Sequence, residues 1–278
     1  PSLEVLILDD CSEGLQVCNI VAERINDPRI VCFRSEQQLG VAAGRNFLMQ
    51  RARGDILVVI DDDAVFASHA AIRRTVELLS AAPKTGILAF QVIDHENDRV
   101  RLRTPFSQLT HRRQPHIHKQ PQLVSYYLGT GHAMRRKLIE RCGLYQADFL
   151  FGEEELDLSY RAIRAAYQIR YAPCIVVHHY PQASVIEGQV ASRPLTELEL
   201  HIRNRIWLAY KHLPLRYLIT SLSVWLIFYA TEALRNMQPG AYLRGLVAGV
   251  KGLQKLPRRR LRGEAIAYLR ENFGRLWY

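Results

Sequence analysis

The sequence predicts an α/β protein: a mainly parallel sheet with helices on both faces, followed by a helical C-terminal region. Three observations predict it. Short apolar runs alternate with longer helix-periodic segments through the first half of the chain, the pattern of βαβ units. Two of those runs end directly in acidic residues, Leu8 in Asp9-Asp10 and Ile60 in Asp61-Asp62-Asp63. Near His201 the texture changes to long apolar helix with basic punctuation.

The elements follow in order. Val5–Leu8, Ile30–Arg34, Ile56–Ile60 and Gly86–Val92 read as strands, and Gly14–Asn26, Val41–Ala52 and Ala70–Ala82 read as helices. His95 to Gln122 is polar, basic and rich in His and Pro, which predicts a long surface excursion. Next come an apolar stretch at Val124–Leu128, the Gly129-Thr130-Gly131 turn and a helix over Arg135–Cys142. The acidic cluster Glu153-Glu154-Glu155-Leu156-Asp157 opens a helix that runs through Tyr167, and a strand over Cys174–Val177 ends in His178-His179. Residues 1–200 are read as the catalytic domain and 201–278 as a basic, apolar helical region.

Composition bounds the function classes. With 278 residues, 48% apolar and 23% charged, the chain is an ordinary folded protein rather than a disordered one. The net charge of +10 is placed unevenly: residues 201–278 hold 14 Lys+Arg against 3 Asp+Glu, or +11, which leaves −1 for residues 1–200. Acidic clusters in the first region repel phosphate backbones and argue against a nucleic-acid partner. The Tyr217–Thr231 run is 15 residues without a charge, short of the roughly 20 that span a bilayer. An interfacial helix on an anionic membrane face fits it, and a helical cap on the catalytic domain is the alternative. Five cysteines without a C-x-x-C pair predict reduced thiols and a cytoplasmic site on the inner face of the membrane. No signal peptide opens the sequence, which reads as a core strand from Leu3 onward.

The acidic strand ends carry the chemistry. Asp61 and Asp63 alternate on an extended chain and point to one side, where a hard divalent cation, Mg²⁺ or Mn²⁺, takes oxygen ligands. A solvated turn is the other reading of the same residues. Asp9 and Asp10 suit hydrogen bonds to a base or ribose, or a helix cap. Gly40 through Asn46 opens a helix whose N-terminus attracts anions, with Arg45 available to a phosphate or a carboxylate. Helix capping accounts for some of the Glu153–Glu155 run, and a general base for another part.

In order, the motifs are strand–DD–S, G-x-x-x-x-R-N, strand–DDD, G-T-G, E-E-x-D-L-x-x-R and P-x-x-x-x-H-H. This series resembles the family 2 glycosyltransferases of GT-A fold over roughly residues 3–180. Bacterial members that build cell-surface polysaccharides, including rhamnosyltransferase-like enzymes, are similar. The resemblance implies an inverting transferase that takes a sugar from a UDP-, dTDP- or GDP-sugar to a glycan or lipid-linked acceptor. It implies Asp10, with Asp9 nearby, on the base. Gly40, Arg45 and Asn46 lie near the diphosphate, and Gly131 belongs to the acceptor-side loop. Asp61 and Asp62 face the sugar or ribose, and Asp63 is the direct metal ligand. Glu155 takes the place of the catalytic base, with Glu154 as its alternative and Asp157 completing the acidic set. Arg161 matches the family arginine one turn on. His179, by its spacing from Pro173, is the metal or diphosphate contact ahead of His178. Family members usually begin with a further strand ending in P-T-Y-N and a helix, and that unit is expected to be lacking here. A sugar nucleotidyltransferase, a basic membrane- or nucleic-acid-binding module and a non-catalytic relative are the rival readings.

Overall fold

The computed structural model describes residues 2–14, 17–96, 99–181, 188–190 and 193–277. The first strand, β1 (Val5–Asp9), pairs in parallel with β2 (Ile30–Arg34) through α1 (Val17–Arg24). The helix predicted from Gly14 is therefore described from Val17, residues 15 and 16 lying outside the described set. α2 (Val41–Arg51) leads to β3 (Ile56–Ile60), and a tight turn leads to β4 (Ala64–Phe66). α3 (Ala71–Ala81) buries Ala71, Thr75 and Leu79, four residues apart, and so presents one face to the sheet. Then come β5 (Thr85–Glu96), β6 (Arg99–Arg103), α4 (Gln108–Arg113), β7 (Gln122–Val124), β8 (Gly131–Arg135) and α5 (Arg136–Cys142). α6 (Glu154–Arg164) and β9 (Gln168–His179) follow, with a small β10 (Gly188–Val190) and β11 (Arg193–Leu195) hairpin.

The α/β class holds, and the strand directions are mixed where alternation predicts mainly parallel ones. In the large sheet, ordered β3-β8-β5-β9-β4, only β5 and β9 run parallel. The cause is β8, a five-residue strand between a glycine turn and a helix, which no apolar alternation reveals; it enters antiparallel between β3 and β5. β9 is longer than predicted because its ladder to β5 slips around Pro173, a residue that cannot donate to the ladder. Among the described residues β1 and β3 share no ladder; α2 joins them, packing Gly44 on Leu8 and extending Arg45 to Asp61.

The 95–122 stretch is not simply a surface excursion. It forms the β5–β6 hairpin and α4, and it buries Phe106 and Ile117 in the main core. Phe106 packs edge-on against Tyr171 and Phe273, 5.3 and 5.1 Å between ring centres. Burying such a ring contributes about 1.5–3 kcal/mol, enough to hold a polar segment down.

Alternation along β5 divides the core. Leu88, Phe90 and Val92 pack with α3, while Ile87 and Ala89 face the other side with Leu57, Met134 and Leu156. The C-terminal helices belong to this second layer. α7 (Glu197–His212), started by a Thr196/Glu199 capping box, is buried along much of its length. α8 (Leu215–Arg235) and α9 (Pro239–Gly252) pack outside it, and α10 (Gly263–Glu271) returns to the core through Leu269. Residues 201–278 thus share the core of 1–200. Of the described helices α8 alone, at 21 residues, is long and apolar enough to cross a membrane by length and composition; the charge-free run is a part of it.

One cysteine expectation is corrected. Cys18 on α1 and Cys32 on β2 form a disulfide, their Cα atoms 5.3 Å apart. Close packing of α1 on its following strand brings them together, which their spacing in sequence does not signal. Cys11, Cys142 and Cys174 are free. The argument from reduced thiols to compartment therefore falls away.

Candidate active site

The strand ends gather a polar cleft. The β3–β4 turn carries Asp61, Asp62 and Asp63, and the end of β9 carries His179, which lies opposite Ala64 and Asp94 in register. One ligand atom each from Asp61, Asp63 and His179 lie within 4.8 Å of one another. His179 Nδ1 is 2.8 Å from Asp94 Oδ1, and its Nε2 is 3.2 Å from Asp63 Oδ1. With Nδ1–H donating to Asp94, Nε2 turns a lone pair toward Asp63, whose buried Oδ1 has no hydrogen-bond partner. Two acceptors facing each other are satisfied by a proton on Nε2 or by a metal ion that takes both as ligands. Burial raises the Asp63 carboxyl; His179 opposes this, and Asp61 and Asp62 add to it, so the net shift is upward. An O,O,N donor set with an orphaned buried oxygen fits a divalent cation.

His178 is not in this group. Alternation turns it to the other face of β9, where its Nδ1 lies 2.8 Å from His95 Nε2. Asp62 is exposed at the tip of the turn.

Arg45 connects the aspartates to the glutamates. Its guanidinium donates to Glu155 Oε1 and to Asp61 Oδ1, each at 2.9 Å, with Glu154 Oε1 at 3.8 Å. Burial works against the Arg45 charge, but Glu155 and Asp61 outweigh it and raise its pKa. Burial likewise raises Asp61, and Arg45 more than offsets it. Glu154 differs: burial and then the neighbouring Glu155 charge push its carboxyl well above the ordinary value. The two adjacent glutamates therefore differ in their surroundings: burial disfavours the Glu154 carboxylate, and Glu155 is ion-paired with Arg45. Glu155 Oε2 takes no protein hydrogen bond among the described residues.

The floor of the cleft is the 129–132 segment. A Cβ at Gly129 would sit 2.0 Å from Glu155 Oε1 and 3.0 Å from the Arg45 guanidinium, so only glycine permits this approach. The Thr130 side chain favours the Asp61 carboxylate, and Gly131, buried, pairs with Ile60. His132 is fully buried. Its Nδ1–H is shared between the Leu128 and Gly129 carbonyls, at 3.2 and 3.1 Å, and its Nε2 accepts from the Tyr145 hydroxyl at 3.0 Å. Tyr145 in turn accepts from Tyr127 at 3.0 Å. Burial, aided by Arg45, lowers His132 to about 3, so the ring is neutral. Asn46 holds Tyr145 by exchanging two backbone hydrogen bonds of 2.9 Å with it.

Asp10 accepts the Leu39 and Gly40 N–H groups, both at 2.8 Å, and so shapes the loop into α2. Gly40, at φ 78°, begins that helix in a conformation suited to glycine. Asp9 accepts Ser12 N–H and pairs with Arg34. Cys11 adopts φ 67°.

Asp157 and Arg161 lie away from the cleft, correcting the expectation drawn from the acidic run. Two residues along a helix turn the side chain by about 200°, so Asp157 faces away from Glu155. Asp157 is fully buried against Lys211 Nζ at 2.6 Å, His212 Nε2 at 2.8 Å and Arg161 Nε at 2.7 Å. Burial would raise its carboxyl, but the His212 hydrogen bond and the charges of Arg161 and Lys211 hold it well below the carboxylate range. This cluster locks α6 to α7.

Sequence reasoning also missed the loop that presents the glutamates. Leu150, Gly152 and Glu153 all have positive φ, at 60°, 81° and 71°. Three consecutive α7 residues hold this strained loop. Asn204, fully buried, donates to the carbonyls of Phe149, Phe151 and Gly152; Arg203 donates to those of Asp148 and Phe149; Arg205 pairs with Glu153 at 2.5 Å. The nearest sequence signal is Arg203-Asn204-Arg205, a polar run between Ile202 and the apolar Ile206–Ala209 stretch. A separate cavity of about 540 Å³, lined in part by Gln91, Lys119 and Arg170, shares no residue with the cleft.

A mixed sheet with carboxylates and a histidine converging beyond its strand ends defines the GT-A class of glycosyltransferase. The profile of glycosyl transferase family 2 matches residues 1–143, and the chain belongs to that family. It is 31% identical to an uncharacterized protein of Haemophilus influenzae over 149 residues, 51% of this chain and 76% of that protein. It is 32% identical over 74 residues to the putative colanic acid biosynthesis glycosyl transferase WcaA of Escherichia coli, covering 24% of this chain and 26% of WcaA. S. aureus TarS 1-349 in complex with UDP-GlcNAc shares the fold, with TM-score 0.59, 16% identity, and coverage of 90% of this chain and 72% of that one. GalNAc-T7 with UDP, GalNAc and Mn²⁺ also shares it, at TM-score 0.59 and 16% identity. That match covers 78% of this chain and 44% of GalNAc-T7, so this chain spans less than half of it.

Proposed function

We propose that this glycosyltransferase is an inverting enzyme that uses a UDP-, dTDP- or GDP-sugar and a divalent cation, Mg²⁺ or Mn²⁺. The carrying observation is the convergence of Asp61, Asp63 and His179 beside the Arg45–Glu155 ion pair. Asp63 and His179 hold the cation, with Asp61 shared between it and Arg45. When bound, the cation supplies charge neutralisation for the departing nucleotide diphosphate. Glu155 Oε2 accepts the proton of the acceptor hydroxyl. The hydroxyl oxygen bonds to the anomeric carbon as the bond to the diphosphate breaks on the opposite side, which inverts that centre. Arg45 keeps Glu155 oriented, and Asp10 sets the α2 loop beside the nucleotide.

The acceptor is a glycan or lipid-linked sugar in cell-surface polysaccharide synthesis, a reading supported by the likeness to WcaA. The enzyme works on the cytoplasmic face of the membrane. Leu215, Ile219, Ile227 and Phe228 on α8 and Leu243 and Val247 on α9 are exposed, beside the +11 charge of residues 201–278. Exposed apolar area rimmed by cations suits an anionic bilayer. Residues 1–200 carry the chemistry and 201–278 the membrane contact.

Metal-dependent hydrolysis of a panel of UDP-, GDP- and dTDP-sugars tests this reading. Glu155→Gln is expected to lose about 10²–10⁴ in turnover while keeping donor binding; undiminished turnover removes Glu155 from the role. Asp63→Ala is expected to abolish metal-dependent donor binding, and normal calorimetric binding in that variant refutes the cation site. Co-sedimentation with and without anionic vesicles tests the membrane reading, and identical recovery in both sinks it.

A further inference from the structure

The arginine-rich segment Pro257–Arg262 is fixed in place. Arg259 N–H donates to the Lys211 carbonyl at 2.9 Å, and Leu261 N–H donates to the His212 carbonyl at 2.8 Å. The Arg259 carbonyl accepts from Arg164 Nη1 at 2.9 Å, and the Leu261 side chain is fully buried. A chain held at alternate residues turns its other side chains outward. Arg258, Arg259, Arg260 and Arg262 are all exposed, and together they line a cavity of about 350 Å³. No carboxylate lines it, and among the described residues none of the four forms an ion pair. Arg258 is steadied over the Tyr210 ring, 4.8 Å from its centre.

Four arginines line one cavity with no acidic partner among the described residues, so it carries positive charge that an anion neutralises. The crowding reaches Arg164, whose charge is disfavoured first by burial and then by Arg259. Guanidinium groups match phosphoryl oxygens in pairs, and several acting together make the strongest exposed site for a multiply charged phosphate. Arg262 also stands at the start of α10 with no side-chain cap on that helix end.

We propose that Arg258, Arg259, Arg260 and Arg262 form a preformed binding site for a multiply charged phosphoryl group, a diphosphate or a phosphomonoester headgroup. The site is separate from the acidic cleft. Arg164, which pins it, and Glu155 are nine residues apart on α6, about 14 Å at 1.5 Å per residue. It lies at the corner between α7 and α8, where the exposed apolar residues Leu215 and Ile219 begin. A soluble diphosphate and a lipid headgroup can both present the required chemistry there.

Calorimetric titration of inorganic pyrophosphate into the full chain, with a chelator present to silence any cation-dependent binding in the cleft, tests the site. The wild type is expected to bind, and R258Q/R260Q/R262Q to weaken binding by about tenfold or more. Asp63→Ala is expected to bind as the wild type does. So is R73Q/R112Q/R113Q, which removes the same charge from exposed positions elsewhere. A second arm measures retention on phosphatidylcholine vesicles with and without phosphatidic acid. Arginine-dependent retention on phosphatidic acid supports the site and assigns it to a lipid headgroup. Arginine-dependent pyrophosphate binding without retention supports it and assigns a soluble anion. Binding in neither arm, or equal weakening in Asp63→Ala or in the charge-matched control, overturns it.

Discussion

A single methyl group at position 129 would collide with the carboxylate of Glu155 and crowd Arg45. Gly129→Ala is therefore expected to displace the ion pair and cut donor turnover about 100-fold, since small misplacements of reacting groups cost that much. Retained turnover in an otherwise folded variant would show that the pair adapts. The sequence displays Gly129-Thr130-Gly131 as a turn, yet the reason for its first glycine is a contact with a residue far along the chain. The glutamates are a similar case. Their run is plain in the sequence, but only burial separates Glu154 from Glu155. The Glu154 carboxyl holds its proton to a higher pH than the 4.5 of a free glutamate. As pH rises through that window, the unfolded chain releases the proton first, so folded stability falls. Glu154→Gln is expected to flatten the loss of melting temperature as pH rises above 4.5, read by thermal denaturation. An unchanged slope would mean that Glu154 ionises freely. The spacing from Pro173 favoured His179 over His178, and His179 is the one that lies beside Asp63. Asp94, which orients His179, was not legible, because it lies inside a strand with no motif around it.

At the scale of elements, the strand ends of β1, β2 and β3 and the starts of α2 and α3 follow their sequence signals to within one residue. β8 escaped because its buried polar residue, His132, breaks the apolar pattern that marks a strand. Asp157 and Arg161 misled for the opposite reason: an acidic helix start looks uniform in sequence, while its successive residues point to different neighbours. The most consequential unforeseen element is α7, whose Arg203-Asn204-Arg205 side chains hold the strained 150–153 loop. Asn204→Ala leaves the Phe149, Phe151 and Gly152 carbonyls without their shared donor. It is expected to cost about 1–3 kcal/mol in urea unfolding. It should also lower turnover, because α6 begins at that loop; a loss below about 0.5 kcal/mol would show that water replaces the amide at little cost.

For the whole molecule, charge and texture divide the chain near residue 200, and packing joins it again. Leu208, Ala209, Leu213 and Leu269 share a core with Leu156, Leu158 and Tyr160. A chain ending at residue 200 is expected to lose fixed near-ultraviolet circular dichroism and to bind hydrophobic dyes. The complete chain is expected to melt in one calorimetric transition; two resolved transitions would mark independent units. Sequence patterning marks the boundary because charge is a local property, whereas a common interior depends on contacts between distant residues. The position of α7 carries one further consequence. It braces the glutamate loop through Asn204 and carries the Lys211 and His212 carbonyls that tether Leu261 and Arg259, like a beam bolted at both ends. The Arg259 and Leu261 amides, which donate to α7 carbonyls, should therefore take up deuterium as slowly as the deepest strands, with release only when the entire body comes apart.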